Sequence, residues 1–232
     1  ESGIRRCFLA EENVAEGVAA DCLDIVRIRS LQEIIELLNG TGKLRIEKDQ
    51  GFCAADTNYP VDFSEVNGQR LMRRATEVAV AGGHNLLYIG PPGSGKSMMA
   101  RRIPTIMPAL SREEQLEVSK VYSICGMLPK DHALIGTRPY RAPHHTISAQ
   151  ALTGGGLWPK PGEISLASRG VLFLDELAEF EKRTLEILRQ PLEEHQVTVS
   201  RVNGSFSFPA HFMLAAALSL LPAFYWVSRH VK

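Results

Sequence analysis

The chain has 232 residues, 44% hydrophobic and 22% charged, the balance of a soluble globular protein rather than a disordered or fibrous one. Basic and acidic residues stand at 26 each, so no bulk charge draws it to a nucleic acid or a membrane, although a local patch can do so. Cys7, Cys22, Cys53 and Cys125 are widely spaced with no C-x-x-C pair, which speaks against a zinc site or a disulfide framework and for a reducing cytoplasm.

The first residues, Glu1–Arg6, carry neither an initiator methionine nor a signal-peptide pattern and read as part of a longer chain. Val26 and Ile28 alternate with Arg27 and Arg29, as in a short strand with one wet face. Ser30 with Glu33 forms a capping box for a helix whose apolar positions are Leu31, Ile34, Ile35 and Leu38; Asn39-Gly40 stops it. Residues 41–60 are polar, contain glycine and lack periodicity, so they read as a linker at a domain boundary.

Beyond the linker the pattern alternates between helix and strand. Gln69–Ala81 reads as a helix and Leu86–Ile89 as a buried parallel strand. A short helix follows that must end near Pro104, and Ser111 with Glu114 caps another that runs to about Val121. Val171–Leu174 is a second buried strand, the helix from Glu181 is bent or broken by Pro191, and Met213–Ala217 is a third apolar run. Val197–Val202 and Ser205–Phe208 flank Asn203-Gly204, a strong hairpin signal. The stretch from Phe212 to Val227 is shorter than the roughly 20 residues a bilayer helix needs and is interrupted by Pro222, so no membrane span is expected there. The alternation predicts an α/β fold with a parallel sheet and helices on both faces.

Between the first buried strand and its helix lie Gly90, Pro91, Pro92, Gly93, Ser94, Gly95, Lys96 and Ser97, the G-x-x-x-x-G-K-[ST] phosphate loop, or Walker A motif. Its glycines let backbone N–H groups turn inward as a nest for phosphate oxygens, and the helix that opens at Lys96, with Met98 in its first turn, points its positive end at the same anion. Lys96 reaches the terminal phosphates as a point charge, and the Ser97 hydroxyl suits Mg²⁺. The motif therefore predicts binding of ATP or GTP with Mg²⁺. At the carboxyl end of the second strand, Asp175 is placed to hold the Mg²⁺ hydration shell and Glu176 to act as general base toward water, the Walker B pattern. An acid pair leans toward hydrolysis; taken alone, Asp175 also reads as the cap of the next helix.

These motifs, with Arg141–Thr146, Gly154–Leu166 and Pro191–Arg201, resemble the ComM/YifB family of magnesium-chelatase-like bacterial AAA+ ATPases across about residues 1–217. The resemblance implies a P-loop NTPase (AAA+) core over 61–217, preceded at 1–40 by the end of a Lon-protease-like α/β domain. Asp62–Gly68 is similar to the segment that passes the adenine of ATP in such modules. It further implies ATP and Mg²⁺ as ligands, a hexameric ring in the full-length family, and DNA branch migration during natural transformation (competence). Arg201, near the hairpin tip, and Lys160, in the glycine-rich loop, lie where the family places pore-facing elements and are candidates for DNA phosphate. Each also reads as an ordinary solvated charge. Adjacent His144 and His145 are read as structural histidines and Trp158 as loop packing.

After Ala217 the chain departs from the family pattern: Ser219 stands where the family has a sensor Asn, and the Pro-Cys-Pro-Cys-Gly cluster and helical lid do not follow. Residues 218–232 are read as a divergent tail. The alternatives are a nucleotide-binding module without efficient turnover, or the ATPase subunit of a metal-chelatase-type complex.

Overall fold

The computed structural model describes residues 4–19, 23–47, 58–128, 134–156, 159–201 and 204–219. A small N-terminal sheet comes first, made of β1 (Arg6–Ala10), β2 (Asp24–Ile28) and β3 (Ile46–Glu47); β1 runs parallel to β2, and β3 antiparallel to it. Helices α1 (Val14–Ala19) and α2 (Leu31–Leu38) accompany it. The Ser30 side chain caps α2 by accepting from Glu33 N–H, but the Glu33 carboxylate accepts from Arg29 N–H at 2.7 Å, one residue earlier than a capping box requires. Ile46 and Glu47 fall inside the stretch read as linker, yet they pair with β2, so the N-terminal sheet reaches further along the chain than its periodicity suggested. Arg112 donates to the Ala19 carbonyl and Ser123 to Glu16, joining this unit to the rest of the molecule.

The main sheet is parallel, in the order β4 (Leu86–Gly90), β11 (Met213–Ser219), β8 (Val171–Leu174), β5 (Tyr140–Arg141). Between these strands in the chain lie two short antiparallel pairs: β6 (Gly154–Gly155) with β7 (Lys160–Pro161), and β9 (Gln196–Arg201) with β10 (Gly204–Pro209). The helices are α3 (Arg70–Gly82), α4 (Lys96–Arg102), α5 (Arg112–Ile124), α6 (Ala149–Thr153), α7 (Glu163–Leu166), α8 (Lys182–Ile187) and α9 (Arg189–Glu194).

Strand periodicity explains why both faces are dry. Val171, Phe173, Met213, Ala215 and Ala217 point to one face, where Met99, Ala100 and Ile103 of the α4 region pack with Phe63 and Ala79. Leu172, Leu174 and Ala216 point to the other, against Leu152, Ile164, Leu188, Val197, Val199 and Phe208. The result is a three-layer α/β sandwich, and the uninterrupted apolar runs are what a sheet covered on both faces demands. On the first face Thr76 and Tyr88 share a buried hydrogen bond of 2.8 Å, and burial pushes the Tyr88 phenol up to about 12 although that bond acts the other way.

Two local readings need correction. The helix from Glu181 breaks at Leu188, before Pro191, because a proline ring clashes with the carbonyl four residues earlier; α8 ends at Ile187, and Pro191 sits in the first turn of α9. In the hairpin, Gly204 pairs with Arg201 and so belongs to the strand rather than to a turn; Val202 and Asn203 lie outside the described residues. Gly204 has φ +137°, away from the left-handed helical value that a two-residue type I′ turn would require. The Ser111/Glu114 capping box is present in full at the start of α5.

Candidate nucleotide site

Parallel strands bring their carboxyl ends to one edge of the sheet, where an α/β fold binds its ligands. At that edge β4 delivers the phosphate loop and β8 delivers Asp175 and Glu176, with β11 between them. Gly93 and Gly95 take φ of +74° and +88°, which bends the loop so that α4 starts at Lys96. A Cβ added at Gly93 would meet no heavy atom within 4 Å, so the loop's concavity is open at that point.

Lys96 is only 6% exposed. Its ammonium donates to the carbonyls of Gly90 at 3.0 Å and Pro91 at 2.8 Å and to Ser94 Oγ at 3.4 Å, which holds the charge over the loop. The Ser97 hydroxyl donates to Asp175 Oδ2 at 2.6 Å across 78 residues of sequence. Asp175 Oδ1 accepts from Glu176 N–H at 3.0 Å. A hydroxyl and a carboxylate converging beside an ammonium is an all-oxygen donor set, and it suits a hard cation bound together with phosphate.

A cavity of about 660 Å³ opens over this group, lined by Ser97, Met98, Arg101, Tyr140, Asp175 and Glu176 among others. His144 and His145 also line it, and His145 Nδ1 lies 3.7 Å from Glu176 Oε2. The sequence reading set both histidines aside as structural. Tyr140 stacks on Phe173, and burial, helped by the charge of Asp175 and opposed by that of Arg101, raises its phenol above the usual tyrosine range.

Asp62–Gly68 lies along the α4 side of this site: Phe63 N–H donates to Thr105, Arg102 donates to the Asp62 carbonyl and pairs with Glu65, and Arg73 covers the Phe63 ring. Lys160 is exposed on β7, opposite Gly155. Arg201 ends β9, and Trp158 lies outside the described residues. Both hairpins are seated on one hydrophobic core, through Leu152 and Ile164 beside the first and Val197, Val199 and Phe208 in the second. Among the described residues no helix is long and apolar enough to cross a membrane.

The family description "Magnesium chelatase, subunit ChlI" matches residues 62–232. The chain belongs to that family. Among curated relatives of this ChlI-family chain, the competence protein ComM of Haemophilus influenzae is 40% identical over 97% of the chain and 45% of its own length. The uncharacterized protein YifB of Escherichia coli is 44% identical over 97% of the chain and 44% of its own length. The chain thus spans somewhat less than half of these relatives. A solved structure of the magnesium chelatase subunits BchI and BchD in complex aligns with a TM-score of 0.54 and 22% identity, over 71% of this chain and 57% of that one. That likeness shows the fold, a P-loop NTPase sandwich with helices on both faces of a parallel sheet.

Proposed function

We propose that this ChlI-family chain binds ATP with Mg²⁺ and hydrolyses it, as the motor module of a ComM-like protein that remodels DNA. The observation that carries the first part is the 2.6 Å bond from Ser97 to Asp175, which joins the phosphate loop to the acidic strand end beside Lys96. In this reading the inward-turned amides of Gly93–Lys96 and the Lys96 ammonium bind the β- and γ-phosphates. Ser97 and Asp175 would hold a Mg²⁺ ion, which when bound would neutralise phosphate charge. Glu176 orients a water and accepts its proton as the water oxygen bonds to the γ-phosphorus; the bond to the β-phosphate oxygen breaks and ADP leaves. Asp62–Phe63 flank the base.

A steady-state ATPase assay beside a fluorescent-nucleotide titration tests this. Turnover in the wild type, lost in Glu176→Gln while nucleotide still binds, supports hydrolysis. Tight binding without turnover in the wild type establishes the binding-module reading in its place.

For DNA, support comes from the shared seating of the two hairpins and from the relationship to ComM. Lys160 and Arg201 contact backbone phosphates in this reading, within a hexameric ring formed by the full-length protein, and residues 1–40 are the end of a Lon-protease-like domain. Anisotropy titrations with DNA between about 50 and about 200 mM salt should show affinity falling with salt, and Lys160→Ala and Arg201→Ala should each weaken binding and flatten the log–log slope by about one. Unchanged affinity and slope in both variants removes the assignment.

A further inference from the structure

We propose that His145 is a positioning residue for Glu176, restraining the carboxylate over the cavity that it shares with Ser97 and Asp175. The inference rests on the hydrolytic reading of Glu176.

Strand register sets up the contact. Arg141 on β5 pairs with Leu172 on the parallel strand β8, so the chain leaving β5 emerges at the same sheet edge as Asp175 and Glu176. Beyond the strand the segment is held in place. Arg141 donates to both carboxylate oxygens of Glu163 at 2.6 Å, Thr146 N–H donates to His144 Nδ1, and Ile147 N–H to the His144 carbonyl. The His145 ring lies against His144, with centroids 4.0 Å apart, and edge-on to Phe180 at 6.4 Å. It is thus supported from two sides, with Nδ1 turned to Glu176.

Glu176 needs such a support. Its backbone is left-handed at φ +52°, a conformation unfavourable for a non-glycine residue that persists at sites where the surroundings over-determine it. Asp175 Oδ1 braces its N–H and Glu179 N–H donates to its carbonyl, but its side chain is 60% exposed. A general base must meet its water within hydrogen-bond reach, and a solvent-exposed carboxylate sweeps through rotamers that do not. At 3.7 Å from Oε2, His145 Nδ1 is placed to limit that sweep. His145 is not a core histidine, since its side chain is 28% exposed, and its Nδ1 borders the cavity on the side of the acid.

Two measurements decide it. In steady-state kinetics, His145→Ala should lower kcat about 10- to 100-fold, the scale of a misplaced catalytic group, with KM for ATP within about threefold. His145→Asn, which keeps a polar donor, should recover part of that loss, and His145→Phe, which keeps only ring packing, should not. In a Glu176→Gln background, His145→Ala should cause no further loss, since both act through one group. A kcat equal to wild type, full recovery by phenylalanine, or multiplicative losses overturn the proposal.

The second readout needs no turnover: in nitrogen-15 histidine-ring spectra of the nucleotide-free protein, Glu176→Gln should shift the ring resonance that His145→Asn removes. An unmoved resonance overturns the proposal even where turnover is normal. A wild type without turnover refutes the hydrolytic reading instead, and the spectrum then decides whether the contact exists.

Discussion

Replacing Lys96 with alanine separates binding from folding, and the local geometry gives the size of each effect. The ammonium makes two well-formed bonds to loop carbonyls, at 3.0 and 2.8 Å, and a longer one to Ser94. Charge-assisted hydrogen bonds contribute about 1.5–3 kcal/mol each when water cannot replace them. In the free protein water can: Pro91 is exposed and Gly90 half-buried, so their carbonyls rehydrate once the side chain is gone. Stability should therefore fall by less than about 1 kcal/mol, or roughly 2–4 °C in Tm for a chain of this size. In the proposed nucleotide complex the same ammonium would face phosphate oxygens instead. Losing two such bonds would cost about 3–6 kcal/mol, which is roughly two to four decades in Kd at about 1.4 kcal/mol per decade. Fluorescent-ATP titration beside differential scanning calorimetry measures both. A Kd within about threefold of wild type would refute the phosphate-loop assignment; a large Tm loss would show that Lys96 is structural.

Two glycines should fail for different reasons. Gly162 has an ordinary φ of −96°, but a Cβ there would lie 2.3 Å from Gly154 N and 2.5 Å from the Leu152 carbonyl, so Gly162→Ala must pry open the Lys160 hairpin. The expected loss is about 2–3 kcal/mol, a Tm drop of roughly 5–10 °C by calorimetry. Gly93→Ala meets nothing within 4 Å and suffers only from φ +74°, so it should lose about 1–2 kcal/mol while weakening nucleotide binding, which a paired Tm and Kd measurement shows. Glu117 supplies a pH signature. Burial pushes its carboxyl up, but the hydrogen bond and charge of Arg169 outweigh it, leaving the group below the ordinary 4.5. A carboxyl lowered in the folded state adds stability that is complete above its unfolded value and lost as pH falls through the lowered one. Glu117→Gln should thus be less stable near neutral pH, by under about 1 kcal/mol because solvent screens a half-buried pair, with the gap closing below about pH 4 in urea titrations; a gap that stays constant through that range would contradict this.

How far the sequence could be read follows from how local each signal is. β4, β8 and β11 are legible because strands buried on both faces need consecutive apolar residues, and the phosphate loop because its parts are contiguous. β5 consists only of Tyr140 and Arg141 and exists because β8 offers it a partner, so no periodicity marks it. The approach of His145 to Glu176 is equally unmarked, because it depends on the sheet edge to which that two-residue strand delivers the chain. The signal available was chain direction, since a segment leaving a parallel strand must emerge at the edge where Asp175 does. Ile46–Glu47 is likewise decided by its pairing partner β2, about twenty residues earlier in the chain.

Turnover of ATP by the Ser97–Asp175–Glu176 group is the proposal on which the other roles depend. Its most direct test is a single-turnover assay with the protein in excess over radiolabelled ATP and Mg²⁺, run on the wild type and on Glu176→Gln. Phosphate should be released by the wild type, while the variant holds the nucleotide without cleaving it. Equal release by both, or none by a wild type that has bound the nucleotide, would contradict the claim.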